Sequence, residues 1–248
     1  MYDVAFSWDV SDEVDWLLER LGDVTSVCEP ACGSGRMFPA FVRRGVSMFG
    51  IDQSAAMLAR ATDRMASLGL ANFETLEADI TNFDAGRRFG GAICPISTFG
   101  YLQSFDEALA HLECMARHLD PGARYLIQEA LLDFDSYRPG TPNTTSDWEI
   151  ELDGVRVHTT VTPGELDRAT KMHVDHYRFE IVAGPGAGEV VTEDHAMFTW
   201  DYESWSALIA ASPFEQLAAY DGNAATRPSV PLDASLEAGL LTWHELRV

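Results

Sequence analysis

Residues 27–36 run V-C-E-P-A-C-G-S-G-R, where an apolar stretch gives way to a helical pattern through a few small residues. Side chains as small as those of Ala31, Gly33 and Gly35 let the backbone pass close beneath a ligand. The free amides of the following helix then face whatever negative group binds. Two cofactor classes use such a turn. A dinucleotide site of the G-x-G-x-x-G type needs its third glycine where this chain has Phe38, too bulky for close packing of helix on strand, which weakens the nicotinamide reading. Two more carboxylates close apolar runs downstream, Asp52 in GIDQSAAML and Asp79 in LEADITNF. Taken singly, these residues also have plain structural roles: glycines build tight turns, Asp52 suits the cap of a helix beginning near Ser54, and Asp79 suits an Asx turn.

Other reactive side chains point to less. His173 and His176 in KMHVDHYRF sit three apart on an extended stretch, so they face opposite ways and cannot share one metal ion; no metal site is expected. His111 and His118, seven apart on a helical stretch, are expected on its solvent face. Cys28, Cys32, Cys94 and Cys114 form no C-x-x-C pair, which argues for reduced thiols. Lys171 is the only lysine, so no lysine nucleophile or Schiff base stands elsewhere.

The elements that must position these residues alternate. VTSVCEP, SMFGI, NFETLEAD, GGAICPI and RYLIQEA are strand-like, and helical patterns separate most of them, notably SAAMLARATDRMASLG and FDEALAHLECMARHL; such alternation implies a parallel sheet. SDEVDWLLERL before the first strand is an amphipathic helix. After Ala130 the texture changes: residues 133–147 are rich in Pro, Thr, Asp and Ser and suit a loop. Three extended segments follow, 148–161, 170–182 and 189–200, which turns would join into an antiparallel meander. A helix in DYESWSALIAA and strands in FEQLAAYDG and GLLTWHELRV complete the chain.

With 248 residues, 46% of them hydrophobic and 23% charged, the chain can bury one sizeable core, which excludes disordered and fibrous classes. A formal charge of -22 repels phosphate backbones and anionic lipid, so neither nucleic acid nor a membrane is an expected partner. The opening residues MYDVAFSWDV lack a basic flank and a continuous apolar run, and no stretch approaches the roughly 20 apolar residues of a bilayer span, so a cytoplasmic protein is expected.

E-P-A-C-G-S-G resembles the first motif of class I S-adenosylmethionine-dependent methyltransferases, in which an acidic residue ends the first strand and a G-x-G-like turn follows. Ala31 departs from the glycine of many members. With the strand-end acids Asp52 and Asp79, the likeness covers most of residues 24–130 in the family's order. It implies an α/β fold: a Rossmann-like seven-stranded sheet, its last strand antiparallel, over residues 1–132 and 201–248, with an inserted antiparallel β-meander over 133–200. It implies S-adenosyl-L-methionine as cofactor. Glu29 would orient its amino-acid end, Asp52 would accept from the ribose hydroxyls with Gln53 and Met57 alongside, and Asp79 would accept from the adenine amine with Ile80 against the ring. Ala31, Gly33 and Gly35 would form the cradle, and Pro95 and Ile96 would lie near the methionine end. Trp8, with Tyr2 and Phe6, resembles the aromatic entry segment of the group, although ordinary core packing explains such residues equally well.

The acceptor is less defined. C-P-I-S-T-F lacks the N-P-P-Y-like signature of enzymes acting on amides and nucleobase amines, and is similar to small-molecule members, among them glycine and amino-sugar N-methyltransferases. The expected activity is methyl transfer to nitrogen or oxygen of a small molecule, with Ser97, Tyr101 and Tyr177 on the acceptor and Glu129, His173 or His176 available as a base. The alternatives are a nicotinamide-dependent oxidoreductase, or a protein of this fold that uses the cofactor without methyl transfer. Residues 133–200 are expected either to select the acceptor or to form the interface of a homodimer.

Overall fold

The structure is a computed structural model that describes residues 1–134, 145–233 and 235–248. Its helices are α1 (Tyr2–Ala5), α2 (Ser11–Leu21), α3 (Phe38–Arg43), α4 (Ala55–Ser67), α5 (Phe105–Arg117) and α6 (Tyr202–Ala211), with a 3-10 turn at Thr98–Tyr101. Its strands are β1 (Ser26–Pro30), β2 (Ser47–Asp52), β3 (Phe73–Glu77), β4 (Phe89–Cys94), β5 (Leu119–Ala130), β6 (Ser146–Leu152), β7 (Val155–Pro163), β8 (Met172–Ala183), β9 (Val190–Phe198), β10 (Glu215–Asp221), β11 (Ser229–Val230) and β12 (Leu241–Arg247). They pack into two units, Val10–Leu132 with Trp200–Val248, and Met1–Asp9 with Asp133–Thr199.

The larger unit holds one sheet in the order β11-β10-β12-β5-β4-β1-β2-β3. β1 to β5 are mutually parallel, and β12 runs antiparallel to both β5 and β10. This is the expected seven-stranded arrangement with a two-residue strand, β11, added at one edge. β1, β2 and β4 are buried nearly throughout, as parallel strands covered on both faces must be. Val27, Met48, Ile93 and Leu126 of the sheet meet Leu17, Phe38, Phe41, Leu58 and Met65 of the helices, each burial stabilising by about 1.5–3 kcal/mol. Caps mark the helix starts: Ser54 accepts from the Met57 amide and Ser104 from the Glu107 amide.

Phe38, the residue that spoils the dinucleotide motif, is fully buried. Its room comes from Gly50 on β2, where an added Cβ would lie 2.4 Å from Phe38 Cζ and 2.6 Å from Cys32 Sγ. The small residue that close helix–strand packing demands has moved from helix to strand.

His111 and His118 are not on a solvent face. Both are buried: Nδ1 of His111 lies 3.0 Å from the Ile80 carbonyl and Nε2 lies 2.9 Å from the Tyr125 hydroxyl. Nδ1 of His118 lies 2.9 Å from the Cys114 carbonyl, and its Nε2 accepts from the Ala85 amide at 3.2 Å. With both ring nitrogens partnered, burial leaves no polar atom stranded. Burial pushes the His111 pKa down to about 4, so the neutral ring donates from Nδ1 to Ile80 and accepts at Nε2 from Tyr125.

The smaller unit is a four-stranded antiparallel meander, β6-β7-β8-β9, with α1 on one face. The first expected segment, 148–161, is in fact a hairpin. It folds at Asp153-Gly154, both left-handed at φ 52° and 77°, which is the backbone a two-residue Asp-Gly turn requires. Residues 1–9, grouped with the larger body when the sequence is divided at 132/133 and 200/201, pack with this second sheet. Ala5 is buried with Val157 and Phe179, its carbonyl accepts from Trp148 Nε1 at 2.8 Å, and the Tyr2 and Phe6 rings each lie 6.4 Å from that of Phe179. Tyr2 and Phe6 are thus half-buried aromatics packed against the core of this unit. The loop expected over 133–147 lies, for 135–144, outside the described residues.

Candidate active site

The parallel register of β1 to β5 brings their carboxyl ends to one edge of the larger unit. After β1 the chain turns through Ala31, Gly33 and Gly35, all left-handed, with φ 52°, 52° and 67°. The turn is tied to β2 by the Cys32 amide, which donates to the Ile51 carbonyl at 3.0 Å, and by the Gly33 amide, which donates to Asp52 Oδ2 at 2.8 Å. A Cβ on Gly35 would lie 3.0 Å from Phe38 Cδ2 and 3.2 Å from Ala61 Cβ, whereas one on Gly33 would meet only Met57 Cε at 3.4 Å. Backbone conformation more than space therefore reserves Gly33 for glycine.

Asp52 is not the helix cap; Ser54 is. Asp52 Oδ1 accepts from the Ser54 amide at 2.8 Å, so each carboxylate oxygen holds one backbone amide and keeps a lone pair for another donor. Asp79, exposed after β3, does form an Asx turn: Oδ1 accepts from the Thr81 amide at 2.8 Å and from its hydroxyl at 2.7 Å. Its Oδ2 has no partner among the described residues. Ile80 beside it is buried, while Gln53 is exposed.

Glu29, one residue before the end of β1, is 3% exposed, and its Oε2 is buried with no hydrogen-bond partner among the described residues. Desolvation raises its pKa to about 8; the Arg36 charge pulls it down, and Glu13 and Asp52 push it further up. An unpartnered buried carboxyl here suits a cationic ligand group. This oxygen, the lone pairs of Asp52 and the left-handed cradle together fit a positively charged aminoacyl nucleoside such as S-adenosylmethionine.

Pro95, Ile96 and Ser97 follow β4, and Gln128 holds the turn: its Oε1 accepts from the Ile96 amide at 2.7 Å and its carbonyl from the Ser97 amide at 3.0 Å. Tyr101 is 42% exposed. Glu129, at the end of β5, is buried and folds back so that Oε1 accepts from the Ala130 amide at 2.9 Å.

The structure thus gathers Glu29, Ala31, Gly33, Gly35, Asp52, Gln53, Met57, Asp79, Ile80, Pro95, Ile96, Ser97, Tyr101 and Glu129 in the larger unit, at or just after the ends of β1 to β5. Trp8, His173, His176 and Tyr177 belong to the smaller one. There His173 Nδ1 lies 2.8 Å from Thr199 Oγ1 and its Nε2 3.2 Å from Asp175, while His176, on the other face of β8, pairs with Asp194 at 2.7 Å. Gln128 and the His111–Tyr125 pair were not singled out from the sequence. The signal for Gln128 was present, a glutamine inside the apolar strand RYLIQEA.

The family described as "Methyltransferase domain" matches residues 27–122. The dTDP-3-amino-3,4,6-trideoxy-alpha-D-glucopyranose N,N-dimethyltransferase of Streptomyces venezuelae is 27% identical over 191 residues, 74% of this chain and 72% of that protein. Among solved structures, SAM-bound CalS10, an amino pentose methyltransferase from Micromonospora echinaspora, has a TM-score of 0.75 at 17% identity, covering 100% of this chain and 96% of that one. An S-adenosylmethionine-dependent methyltransferase from Clostridium acetobutylicum ATCC 824 has the same TM-score of 0.75 at 16% identity, again covering 100% of this chain and 96% of its own. The structural likenesses establish the fold. The matched domain runs from β1 into the start of β5 and takes in the turn and both strand-end acids; over residues 27–122 the chain carries a methyltransferase domain, and it is similar to S-adenosylmethionine-dependent methyltransferases that act on small molecules.

Proposed function

We propose that the chain methylates the amino nitrogen of a small molecule of the amino-sugar type. The acceptor class is supported by the relative from Streptomyces venezuelae, named for an amino-sugar nucleotide. The observation that carries the cofactor half of the reading is the Asp52 carboxylate, fixed by the Gly33 and Ser54 amides at 2.8 Å each with acceptor capacity left over.

Bound S-adenosylmethionine supplies an electrophilic methyl group on a sulfonium. Asp52 would hold the ribose, Asp79 Oδ2 the adenine amine, and Glu29 the cationic amino-acid end. An amine acceptor asks little more of the protein. Unprotonated, it would take the methyl group on its own lone pair, its new N–C bond replacing the donor's S–C bond, and the extra proton on nitrogen would leave to solvent or to a nearby base. Catalysis then rests on proximity and orientation, which contribute up to about 7–11 kcal/mol in well-aligned systems. Ser97 and Tyr101 of the larger unit would face the acceptor. Incubating the protein with the cofactor and a panel of matched amino and hydroxy sugars, free and nucleotide-linked, tests this: mass spectrometry should show one or two added methyl groups on the amines. Methylation of the hydroxy sugars alone would refute the amine reading.

A further inference from the structure

We infer that Gln128 is a positioning residue for methyl transfer, holding the turn after β4 in a backbone conformation that its own residues resist. This rests on the proposed role of that turn beside the reacting groups. Ile96 and Ser97 are consecutive and both left-handed, at φ 50° and 53°. Neither is glycine, and Ile96 is β-branched, the side-chain type that this region tolerates least. Left-handed backbone persists at such residues only where the surroundings over-determine it.

Gln128 provides that constraint from one position. The parallel ladder between β4 and β5 ends at Cys94 and Ile127, so Gln128 is the first residue beyond it. Its main chain and side chain then take the two amides in turn, Oε1 from Ile96 at 2.7 Å and the carbonyl from Ser97 at 3.0 Å. From the other side Pro95 closes the turn, its carbonyl accepting from the Thr98 amide at 3.2 Å and hydroxyl at 2.7 Å. Gln128 is itself held. It is 3% exposed and pairs with Trp243 on β12; its amide nitrogen occupies space that a side chain at residue 222 would claim, a Cβ on Gly222 falling 3.0 Å from Nε2. Tyr125, Leu126 and Ile127 just before it are fully buried, and a hydrophobic residue would fill the same site without a polar group to satisfy. The amide is therefore explained by the turn it holds.

β4 lies next to β1, the strand of Glu29, whereas Asp52 ends β2 and Asp79 follows β3 on the far side. A slack turn should accordingly harm transfer more than nucleoside binding. A displacement of about 1 Å can lower turnover by up to about a hundredfold.

The test combines Gln128→Met, which removes the acceptor with little change in volume, with Ile96→Gly, which removes the backbone resistance. Amide hydrogen exchange, affinity for S-adenosylhomocysteine and methyl transfer to the amine panel are measured on the wild type, both single variants and the double variant. Gln128→Met should accelerate exchange at Ile96 and Ser97 and lower kcat about tenfold or more, with cofactor affinity within about threefold. In the Ile96→Gly background the same substitution should cost at least threefold less in kcat. Should Gln128→Met fail to fold, Gln128→Asn, which keeps the amide but withdraws it by one methylene, replaces it throughout. Unchanged exchange, equal losses in both backgrounds, or a fall in cofactor affinity that matches the fall in kcat would overturn the assignment. A wild type that binds the cofactor and methylates none of the amines would instead remove the proposed acceptor, and exchange and cofactor affinity would decide the role of Gln128.

Discussion

Replacing Asp52 by alanine removes a fold contact and a ligand contact together, and the structure separates their sizes. The carboxylate accepts the Gly33 and Ser54 amides at 2.8 Å each. The side chain is only half-buried, so both amides can rehydrate, and the pair should contribute about 2–3 kcal/mol, toward the lower end for bonds to a charged acceptor. In a protein of this size that lowers Tm by roughly 4–12 °C. The two ribose hydroxyls have no other proposed acceptor. At about 1.5–3 kcal/mol each, their loss weakens cofactor binding by roughly 10² to 10⁴-fold. Asp52→Asn keeps one acceptor and should fall between the two. Calorimetric titration with S-adenosylhomocysteine and thermal melting on the same preparations give both quantities. A drop in Tm of several degrees with affinity unchanged within about threefold would show that Asp52 serves only to tie the turn to β2, and the reasoning would be wrong.

Ala31→Gly should stabilise the protein by about 0.5–1 kcal/mol, the relief of a left-handed alanine less the extra freedom of glycine in the unfolded chain; a lower denaturation midpoint would refute it. Glu29 favours its neutral form up to about pH 8 when folded, whereas its ordinary value is 4.5, so the folded state binds the extra proton in between. Stability of the cofactor-free protein should accordingly fall as pH rises from 4.5 to 8, and Glu29→Gln should flatten that slope in urea midpoints measured across the interval. Substitutions of His173, His176 or Tyr177 should change acceptor affinity or turnover while cofactor affinity stays within about threefold, or roughly 0.65 kcal/mol. If they leave turnover untouched and shift the mass seen by light scattering, the smaller unit serves a homodimer interface instead.

The larger sheet was legible because its signals are local. Small residues and acids closing apolar runs mark strand ends, with Glu29, Asp52 and Asp79 at those of β1, β2 and β3 in turn. What was missed depends on partners distant in sequence. His111 counts as polar on any helical pattern, and only the Ile80 carbonyl and Tyr125 hydroxyl make its burial tolerable. Gln128 is a polar residue in an apolar strand, and only the amides of Ile96 and Ser97, some thirty positions away, account for it. The hairpin at Asp153-Gly154 is a different case, since its signal was local and was overlooked within a longer extended segment. Phe38 correctly argued against a dinucleotide motif, but its compensation by Gly50 is visible only when helix and strand are packed.

The place of β12 bears on how the molecule comes to be folded. It follows every other strand in the chain, yet it lies inside the sheet, with seven registered pairs along β5 on one side and β10 on the other. β1 to β5 can associate through neighbouring βα units, but the outer edge of β5 stays open while the chain goes on to build the meander of the smaller unit. During that interval an apolar strand carrying Leu126 and Ile127 presents unpaired amides, a template for a strand of another molecule. Pairings this distant in sequence form slowly, so refolding yield should depend on protein concentration, with the competition lost or won at this one edge.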